Sequence, residues 1–254
     1  MKLIILGSGT GIPLADRASP SIVLKKKDAA ALFDMGPGAL RQLAKAGISH
    51  ENIERIFITH FHPDHTADLI HLLFATRIPS VLQRRKPFTI TAPKGFIDFL
   101  EKLQSVYSPW LELPSEILKV EELDIKNPVN NSYNSFEIIS QHVDHTPHSL
   151  AYRINIKQGK SIVYSGDTGF CEEIIELAMD ADILILECAF PDGEEQEGHL
   201  TPSQAGHIAA LSKTKKLVLT HFYPEVLETD IKADCRKTYE GELILAKDLM
   251  MFDV

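Results

Sequence analysis

The chain has 254 residues, of which 44% are hydrophobic and 24% charged, and its formal net charge is -9. This composition is that of a folded protein with one large core or two fused halves, and it excludes an intrinsically disordered chain. The acidic balance provides no global positive field that would attract nucleic acid. Three widely spaced cysteines form no C-x-x-C pair, which argues against a disulfide framework and against a cysteine zinc site.

Nothing in the sequence indicates export or membrane insertion. The segment from Met1 to Leu6 lacks the basic and apolar regions of a signal peptide, and no apolar run approaches the roughly 20 residues of a membrane span. We therefore expect a cytoplasmic location. Two short basic runs, at 25–27 and 84–86, are typical of solvated turns and helix ends, so broad nucleic-acid binding is not expected.

Short apolar runs of strand length alternate with stretches of helical period, which predicts an α/β fold. In the first half the pattern predicts strands near 3–6, 21–25, 30–34, 55–59 and 88–91, and helices near 38–46, 65–75 and 94–107. In the second half it predicts strands near 136–140, 150–156, 161–165, 182–187, 216–220 and 242–245, and helices near 172–179 and 202–211. The polar stretch 127–134 is the expected joint between two halves of a single domain spanning residues 1–254.

The motif T-H-F-H-P-D-H, directly after a predicted strand, contains three imidazoles and one carboxylate within six positions. In an extended segment His60 and His62 project to the same side, and Pro63 ends the strand so that Asp64 and His65 turn toward a second point. Imidazole and carboxylate together favour Zn²⁺, Fe or Mn²⁺. The motif therefore predicts two metal positions a few ångströms apart. The alternative, in which Asp64 only caps the next helix and His65 lies in its first turn, explains two residues and not four.

Two further motifs follow predicted strands in the second half of the chain. Asp167 lies in S-G-D-T after the predicted strand 161–165, and His221 lies in T-H-F after the predicted strand 216–220. Because ligands of open α/β sheets gather at the carboxyl ends of strands, we expect His60, Asp167 and His221 to converge on a shared centre. Taken singly, Asp167 is also typical of a turn and His221 of a protein surface.

The stretch 142–148 offers three histidines for one further ligand position, and spacing alone does not choose among His142, His145 and His148. Three other histidines have no comparable partners and are expected in helices or at the surface: His50, His71 and His207.

Together the H-F-H-P-D-H, S-G-D-T and T-H-F motifs resemble the metallo-β-lactamase superfamily, and more closely its ribonuclease Z-like branch. The resemblance extends from the glycine-rich L-G-S-G-T-G at 6–11, through L-F-D-M-G at 32–36, to His221. It implies a four-layer αββα sandwich in which two mixed sheets pack face to face with helices outside. The metal centre is then expected at one edge, between the halves.

The resemblance also implies a ligand set, with one cation held by His60, His62 and His145, a second by Asp64, His65 and His221, and Asp167 bridging the two. Two divalent ions are expected, with zinc the first choice and manganese or iron the alternatives. His145 is preferred because it precedes a small residue and an aromatic, as the corresponding family histidine does. His142 and His148 remain alternatives.

His199, after the strand that ends in E-C-A-F, resembles the family's proton donor or phosphoryl-oxygen partner. The alternative is that it only precedes Thr201, the expected cap of the helix 202–211. With Asp64 and His199 as catalytic residues, the implied reaction is metal-dependent hydrolysis, expected to act on a phosphodiester through a hydroxide that bridges the two cations.

Two departures from the typical ribonuclease Z bear on the substrate. Pro63 replaces a glycine, and the 22 positions from His145 to Asp167 leave no room for the long tRNA-gripping arm of many members. We therefore expect a small-molecule or nucleotide phosphodiester as substrate, with RNA as an alternative.

Three other functions stay open: ribonuclease Z activity, hydrolysis of a sulfate ester, lactone or thioester, and a non-hydrolytic iron-dependent or binding role. His62 argues against the last, because the flavo-diiron relatives resemble this motif with a glutamate at that position. A homodimer through the apolar segments 69–75 and 78–82 is a further expectation, although an apolar helix is also typical of a core.

Overall fold

The computed structural model describes residues 1–254, which form fourteen strands and nine α-helices. The strands are β1 Lys2–Gly7, β2 Ser21–Lys26, β3 Ala29–Phe33, β4 Ile53–Phe57, β5 Phe88–Pro93, β6 Leu118–Leu123, β7 Val129–Ser132, β8 Phe136–His142, β9 Leu150–Ile156, β10 Ser161–Tyr164, β11 Ile183–Glu187, β12 Lys216–Thr220, β13 Glu242–Leu245 and β14 Met251–Asp253. The helices are α1 Ala39–Lys45, α2 Pro63–Thr66, α3 Asp68–Arg77, α4 Pro79–Leu82, α5 Phe96–Tyr107, α6 Glu172–Leu177, α7 Pro202–Leu211, α8 Pro224–Leu227 and α9 Ile231–Arg236. None of these helices combines the length and the apolar character that crossing a bilayer requires.

The strands form two mixed sheets of seven strands each. The first has the order β14-β1-β2-β3-β4-β5-β6 and is parallel from β3 to β6. The second has the order β13-β12-β11-β10-β9-β8-β7 and is parallel from β10 to β13. The chain passes from the first sheet to the second between Leu123 and Val129, and β14 returns to pair with β1.

Two apolar cores hold these layers together. The larger core contains the residues between the sheets together with residues of α6, α7 and α9, which cover the second sheet. Between the sheets it contains a cluster of aromatic rings, in which Phe33 stacks on Phe57 at 4.8 Å between centroids and Tyr152 contacts Phe57 at 5.5 Å. The smaller core packs the other face of the first sheet against α1, α3 and α5. Residues alternate between the two cores along β1 to β4, as the period of a strand requires. The four-layer αββα sandwich expected from the motifs is therefore confirmed.

The predicted strands and helices are present, with ends that differ by at most two residues. One prediction was wrong in continuity, because the helix expected over 65–75 is divided at Ala67 into α2 and α3. The polar stretch 127–134 contains an unpredicted strand, β7. The sequence also missed β6 and β14.

Candidate metal centre

The motifs converge where strands of both sheets end. The segment after β4 of the first sheet carries His60, and the segments after β10 and β12 of the second carry Asp167 and His221. The two sheets are joined beside this point, because the backbone N–H of Leu150 in β9 donates to the carbonyl oxygen of Thr59 at 2.9 Å. The structure thus brings together the three residues that were expected to converge.

The first cluster of potential ligands consists of His60, His62, His145 and Asp167. Nδ1 of His62 lies 3.0 Å from Nε2 of His60 and 3.1 Å from Nε2 of His145. Oδ2 of Asp167 lies 3.8 Å from Nε2 of His60 and 3.8 Å from Nε2 of His145. Ligand atoms of a tetrahedral zinc ion are about 3.3 Å apart, given bonds of roughly 2.0–2.1 Å. These separations fit one cation.

The second cluster consists of Asp64, His65, Asp167 and His221. Nε2 of His65 lies 3.8 Å from Oδ2 of Asp64 and 3.1 Å from Oδ1 of Asp167, and Nε2 of His221 lies 3.4 Å from Oδ2 of Asp167. Asp64 does not cap α2, because the N-cap position is His62 and no side-chain capping bond is present. Asp167 belongs to both clusters, so its carboxylate lies between the two potential cation positions.

Several of these potential ligand atoms are buried without a hydrogen bond. They are Nε2 of His65, Nε2 of His221 and Oδ1 of Asp167, and the close approach of His65 to Asp167 lacks hydrogen-bond geometry. Leaving one buried polar atom unsatisfied costs about 1–3 kcal/mol. Divalent cations would satisfy all three atoms, since imidazole nitrogen and carboxylate oxygen are their usual ligands. The donor set therefore fits metal ions.

Protonation states in the clusters follow from burial and from neighbouring charges. Burial, together with the charge of His65, lowers the pKa of His60 well below its usual range, and burial lowers the pKa of His221 to about 4. Burial opposes ionisation of Asp167, but the imidazoles around it hold its pKa well below its usual range. Burial alone would lower the pKa of His65, but the carboxylates of Asp167 and Asp34 raise it well above its usual range. A cation would displace a proton there, as metal ions do at protonated ligands.

Asp34 fixes the direction of His65. Its carboxylate, which is fully buried, accepts hydrogen bonds from the backbone N–H of Thr59 at 2.8 Å and from the hydroxyl of Tyr164 at 2.9 Å. It also lies 2.7 Å from Nδ1 of His65, which directs Nε2 of that ring toward the cluster. Such a carboxylate behind a metal-binding histidine sets the ring's tautomer and orientation. Asp34 lies in the L-F-D-M-G segment, and no local pattern in the sequence indicates this role.

Of the three histidines between 142 and 148, only His145 reaches the first cluster. His142 ends β8, and the ring of His148 stacks on Phe61 at 5.3 Å between centroids. The geometry thus favours the residue preferred from the family resemblance, and its role as a ligand stays a prediction.

The backbone of Gly198 orients the imidazole ring of His145. Nδ1 of His145 lies 2.9 Å from the carbonyl oxygen of Gly198, so this nitrogen donates and Nε2 faces the cluster. The backbone of Gly198 has a φ of +75°, and a Cβ at this position would lie 2.8 Å from Nδ1 of His145. Both the conformation and the close approach therefore require glycine.

His199 lies at the rim of the centre, with its ring 4.8 Å from that of His145 and 6.0 Å from that of His221. Its Nδ1 lies 2.9 Å from Oε1 of Glu187, a fully buried carboxylate that also accepts from the backbone N–H of Leu200 at 3.1 Å. Burial alone would lower the pKa of His199, but the hydrogen bond and charge of Glu187 raise it to about 9. His199 can therefore carry a proton at neutral pH. No local pattern in the sequence indicates this role of Glu187.

The alternative reading of His199 is also visible in the structure. Thr201 caps α7 in a capping box with Gln204, so His199 does stand just before a helix entry. Its contact with Glu187 and its place beside both clusters are additional to that position.

A family model for the beta-lactamase superfamily domain matches residues 30–222. The ribonuclease Z of Thermobifida fusca is 27% identical over 98% of this chain and 93% of that protein. The ribonuclease Z of Geobacillus kaustophilus is 28% identical over 100% of this chain and 99% of that protein. Among solved structures, the metallo-β-lactamase fold protein YhfI of Bacillus subtilis superposes with a TM-score of 0.86 at 24% identity, covering 99% of this chain and 98% of YhfI. The short form of human tRNase Z superposes with a TM-score of 0.78 at 26% identity, covering 100% of this chain and 99% of that chain.

These matches extend over the residues that form both ligand clusters. The alignment with the Geobacillus protein spans 313 positions against the 254 residues of this chain, so that relative contains segments that this chain lacks. The family match and the relatives bear out the resemblance read from the motifs. The chain is a hydrolase of the metallo-β-lactamase superfamily and belongs to its ribonuclease Z-like branch.

Proposed function

We propose that this protein is a phosphodiesterase that uses two divalent metal ions. The observation that carries the proposal is the pair of ligand clusters that share Asp167, with buried ligand atoms that no protein group satisfies. Two cations a few ångströms apart suit the displacement of an oxygen at phosphorus, because they stabilise both the entering and the leaving oxygen.

In this proposal the first cation is held by His60, His62 and His145, the second by Asp64, His65 and His221, and Asp167 lies between them. Zinc is the expected metal, since imidazole and carboxylate are among its usual ligands, and manganese and iron are alternatives. When bound, the two cations would lower the pKa of a water molecule from about 15.7 towards about 7 and would neutralise charge on the phosphoryl group.

Hydrolysis forms one bond between the water oxygen and phosphorus and breaks one ester bond. The water loses a proton, and the departing oxygen gains one. His199 lies at the rim, and its hydrogen bond to Glu187 raises its pKa, so it is placed to donate that proton. Proton donation to a departing oxygen contributes roughly 100- to 10,000-fold in rate.

A comparison of leaving groups tests this role. p-Nitrophenolate departs without protonation, whereas the ribose oxygen of a dinucleotide needs a proton. We expect His199→Ala to reduce kcat on a dinucleotide by about 100-fold or more and to reduce kcat on bis(p-nitrophenyl) phosphate far less. His207→Ala, which changes an exposed histidine of α7, is the matched control. Equal losses on both substrates would contradict proton donation by His199.

Cutting of tRNA precursors is the second candidate function, and the ribonuclease Z relatives favour it. Against it, the interval from His145 to Asp167 contains only β9, β10 and short connections. A precursor-cleavage assay separates the two candidates. Absence of a cut at the 3′ trailer would eliminate this function.

A homodimer is part of the proposal. The predicted contact segment is divided between core and surface, since Leu69, Leu72 and Leu73 are buried whereas Phe74 is 46% exposed and Ile78 is 47% exposed. Other exposed apolar side chains near Phe74 extend this surface, among them Trp110 and Tyr107. Contiguous exposed apolar surface of this kind is typical of association sites.

A further inference from the structure

Two aromatic residues stack on each other beside the candidate metal centre. Phe190 and Tyr223 each lie three positions beyond Glu187 and Thr220, which are paired in the parallel register of β11 and β12. Because the two strands end together, their extensions run side by side. The rings of Phe190 and Tyr223 lie 4.7 Å apart at an angle of 20°. The fold therefore places this aromatic pair at the same sheet edge as the ligands.

The aromatic pair contacts the proposed proton donor. The ring of His199 lies 5.6 Å from that of Phe190 and 6.2 Å from that of Tyr223, both edge to face. Tyr223 also lies 5.7 Å from the ring of His221. Both aromatic side chains are only partly buried. An apolar, π-rich surface therefore borders the candidate metal centre beside His199.

The segments that supply the potential ligands contain no lysine or arginine side chains. Between Lys160 and Lys213 the sequence contains no lysine or arginine but eleven aspartates and glutamates, and this stretch contributes Asp167, Phe190 and His199. The other segments that supply potential ligands, 56–76, 127–152 and 217–231, also lack lysine and arginine. Proteins that bind nucleic acid obtain most of their affinity from lysine and arginine contacts to phosphates. These segments provide none.

Acidic side chains are concentrated next to His199. Glu194, Glu195 and Glu197 are all exposed on the loop that leads from Phe190 to His199. Like charges on a protein surface repel a polyanion within a Debye length, which is about 8 Å at physiological salt. A substrate with one phosphodiester tolerates this rim, because the cations would neutralise its single charge. A polynucleotide brings further phosphates against the loop.

We infer that Phe190 and Tyr223 form a stacking surface for a planar group, a nucleobase or an aryl ring, carried by a small phosphodiester with a single negative charge. The inference rests on the proposed function and specifies its substrate class. Stacking on an aromatic side chain is sequence-tolerant, so any base would fit. The acidic loop selects against longer polyanions. Phe190 and Tyr223 are thus specificity-determining residues.

Two substrates with the same charge and the same leaving group test the stacking surface. Bis(p-nitrophenyl) phosphate retains an aryl group after hydrolysis, whereas methyl p-nitrophenyl phosphate retains a methyl group. We expect Tyr223→Ala and Phe190→Ala each to lower the ratio of their kcat/KM values by on the order of 10-fold. Tyr223→Phe keeps the stacking face and should keep the ratio. Met251→Ala, at an exposed apolar residue of β14, is the control. An unchanged ratio in both alanine variants would overturn the inference.

The acidic loop is tested with single-stranded RNA. The triple variant Glu194→Gln, Glu195→Gln and Glu197→Gln should bind a short RNA at least about threefold more tightly at low salt, and the gain should disappear at high salt. The control neutralises three exposed acidic residues elsewhere: Glu101, Glu112 and Glu116. If wild-type protein cleaves a tRNA precursor with a higher kcat/KM than the small diester, the selection against polyanions is wrong.

A binding measurement separates this inference from the proposed function. Titration calorimetry with AMP and with ribose 5-phosphate compares two ligands that differ only in the base. A preference for AMP that Tyr223→Ala removes would support the stacking surface even if wild-type protein hydrolysed no phosphodiester, in which case the proposed function alone would fail. Equal affinities for the two ligands would overturn the stacking surface alone.

Discussion

Among single residues, Asp64 is the position at which a substitution tests whether catalysis needs one cation or two. Its carboxylate belongs only to the second cluster, and its side chain is 14% exposed on a short helix, so its removal leaves the core intact. We expect Asp64→Ala to abolish turnover of bis(p-nitrophenyl) phosphate with little change in the thermal midpoint. Steady-state kinetics and thermal unfolding check this. Asp16→Ala, at an exposed loop residue, is the control. Retained activity would mean that the second cation is not catalytic.

Residues whose role depends on a distant partner could not be assigned from the sequence. The H-F-H-P-D-H motif is local, so spacing alone indicated a metal site. Asp34 acquires its role only because folding brings it to His65, 31 positions away. The position of Arg85 likewise differs from what its local sequence predicted. Its basic run was expected to be solvated, but the guanidinium is buried over the ring of Phe88 and donates to the carbonyl oxygen of Ile53.

At the scale of elements, the close approach of two strand ends builds the centre. Gly166, between β10 and Asp167, has a φ of +59°, and a Cβ there would lie 2.7 Å from Cβ of Thr59 after β4. We expect Gly166→Ala to push these ends apart, to cost about 1–3 kcal/mol of unfolding free energy as overpacking does, and to weaken zinc binding at least about tenfold, the scale seen when support for a ligand is lost.

Gly193→Ala is the matched control for this prediction. Gly193 also has a positive φ, +91°, but a Cβ there would meet nothing within 4 Å. Both variants therefore strain the backbone, but only Gly166→Ala also crowds the end of β10. Denaturant unfolding and competition with a zinc chelator are the measurements. Equal zinc affinity in the two variants would show that the approach of β10 to the β4 segment does not position Asp167.

The strands that the sequence missed share a position in the fold. β6, β7 and β14 all lie at sheet edges. An edge strand has a neighbour on one side only, and the residues of these three are largely half-buried or exposed. They therefore lack the continuous apolar run that marked buried strands such as β11. β10 and β12, beside the S-G-D-T and T-H-F motifs, were predicted closely because nearly all of their residues are buried.

At the scale of the whole molecule, the exposed apolar surface around α3 predicts association. We expect light scattering coupled to size-exclusion chromatography to give the mass of a dimer, and Phe74→Glu together with Trp110→Glu to give a monomer, because a buried charge opposes the contact. Met251→Glu, at an exposed methionine of β14, should leave the dimer intact. A wild-type monomer at 100 µM would contradict the prediction.

The sequence indicated the chemistry of the site more fully than its substrate. The potential ligands and their positions after strands could be predicted because metal ions favour imidazole and carboxylate groups. Spacing alone did not choose among His142, His145 and His148, because the conformation of the loop decides which of these rings lies at the first cluster. The aromatic pair at Phe190 and Tyr223 depends on the register of two parallel strands, which no local pattern reveals.

In the proposed metal centre, seven side chains from both halves of the chain hold two cations that share Asp167. A crystal structure of the zinc-loaded protein, measured on both sides of the zinc absorption edge, tests it most directly. We expect two anomalous peaks per chain, about 3.5–4 Å apart as in two-metal sites, one on each side of the Asp167 carboxylate. A single peak, or two peaks that Asp167 does not contact, would contradict it.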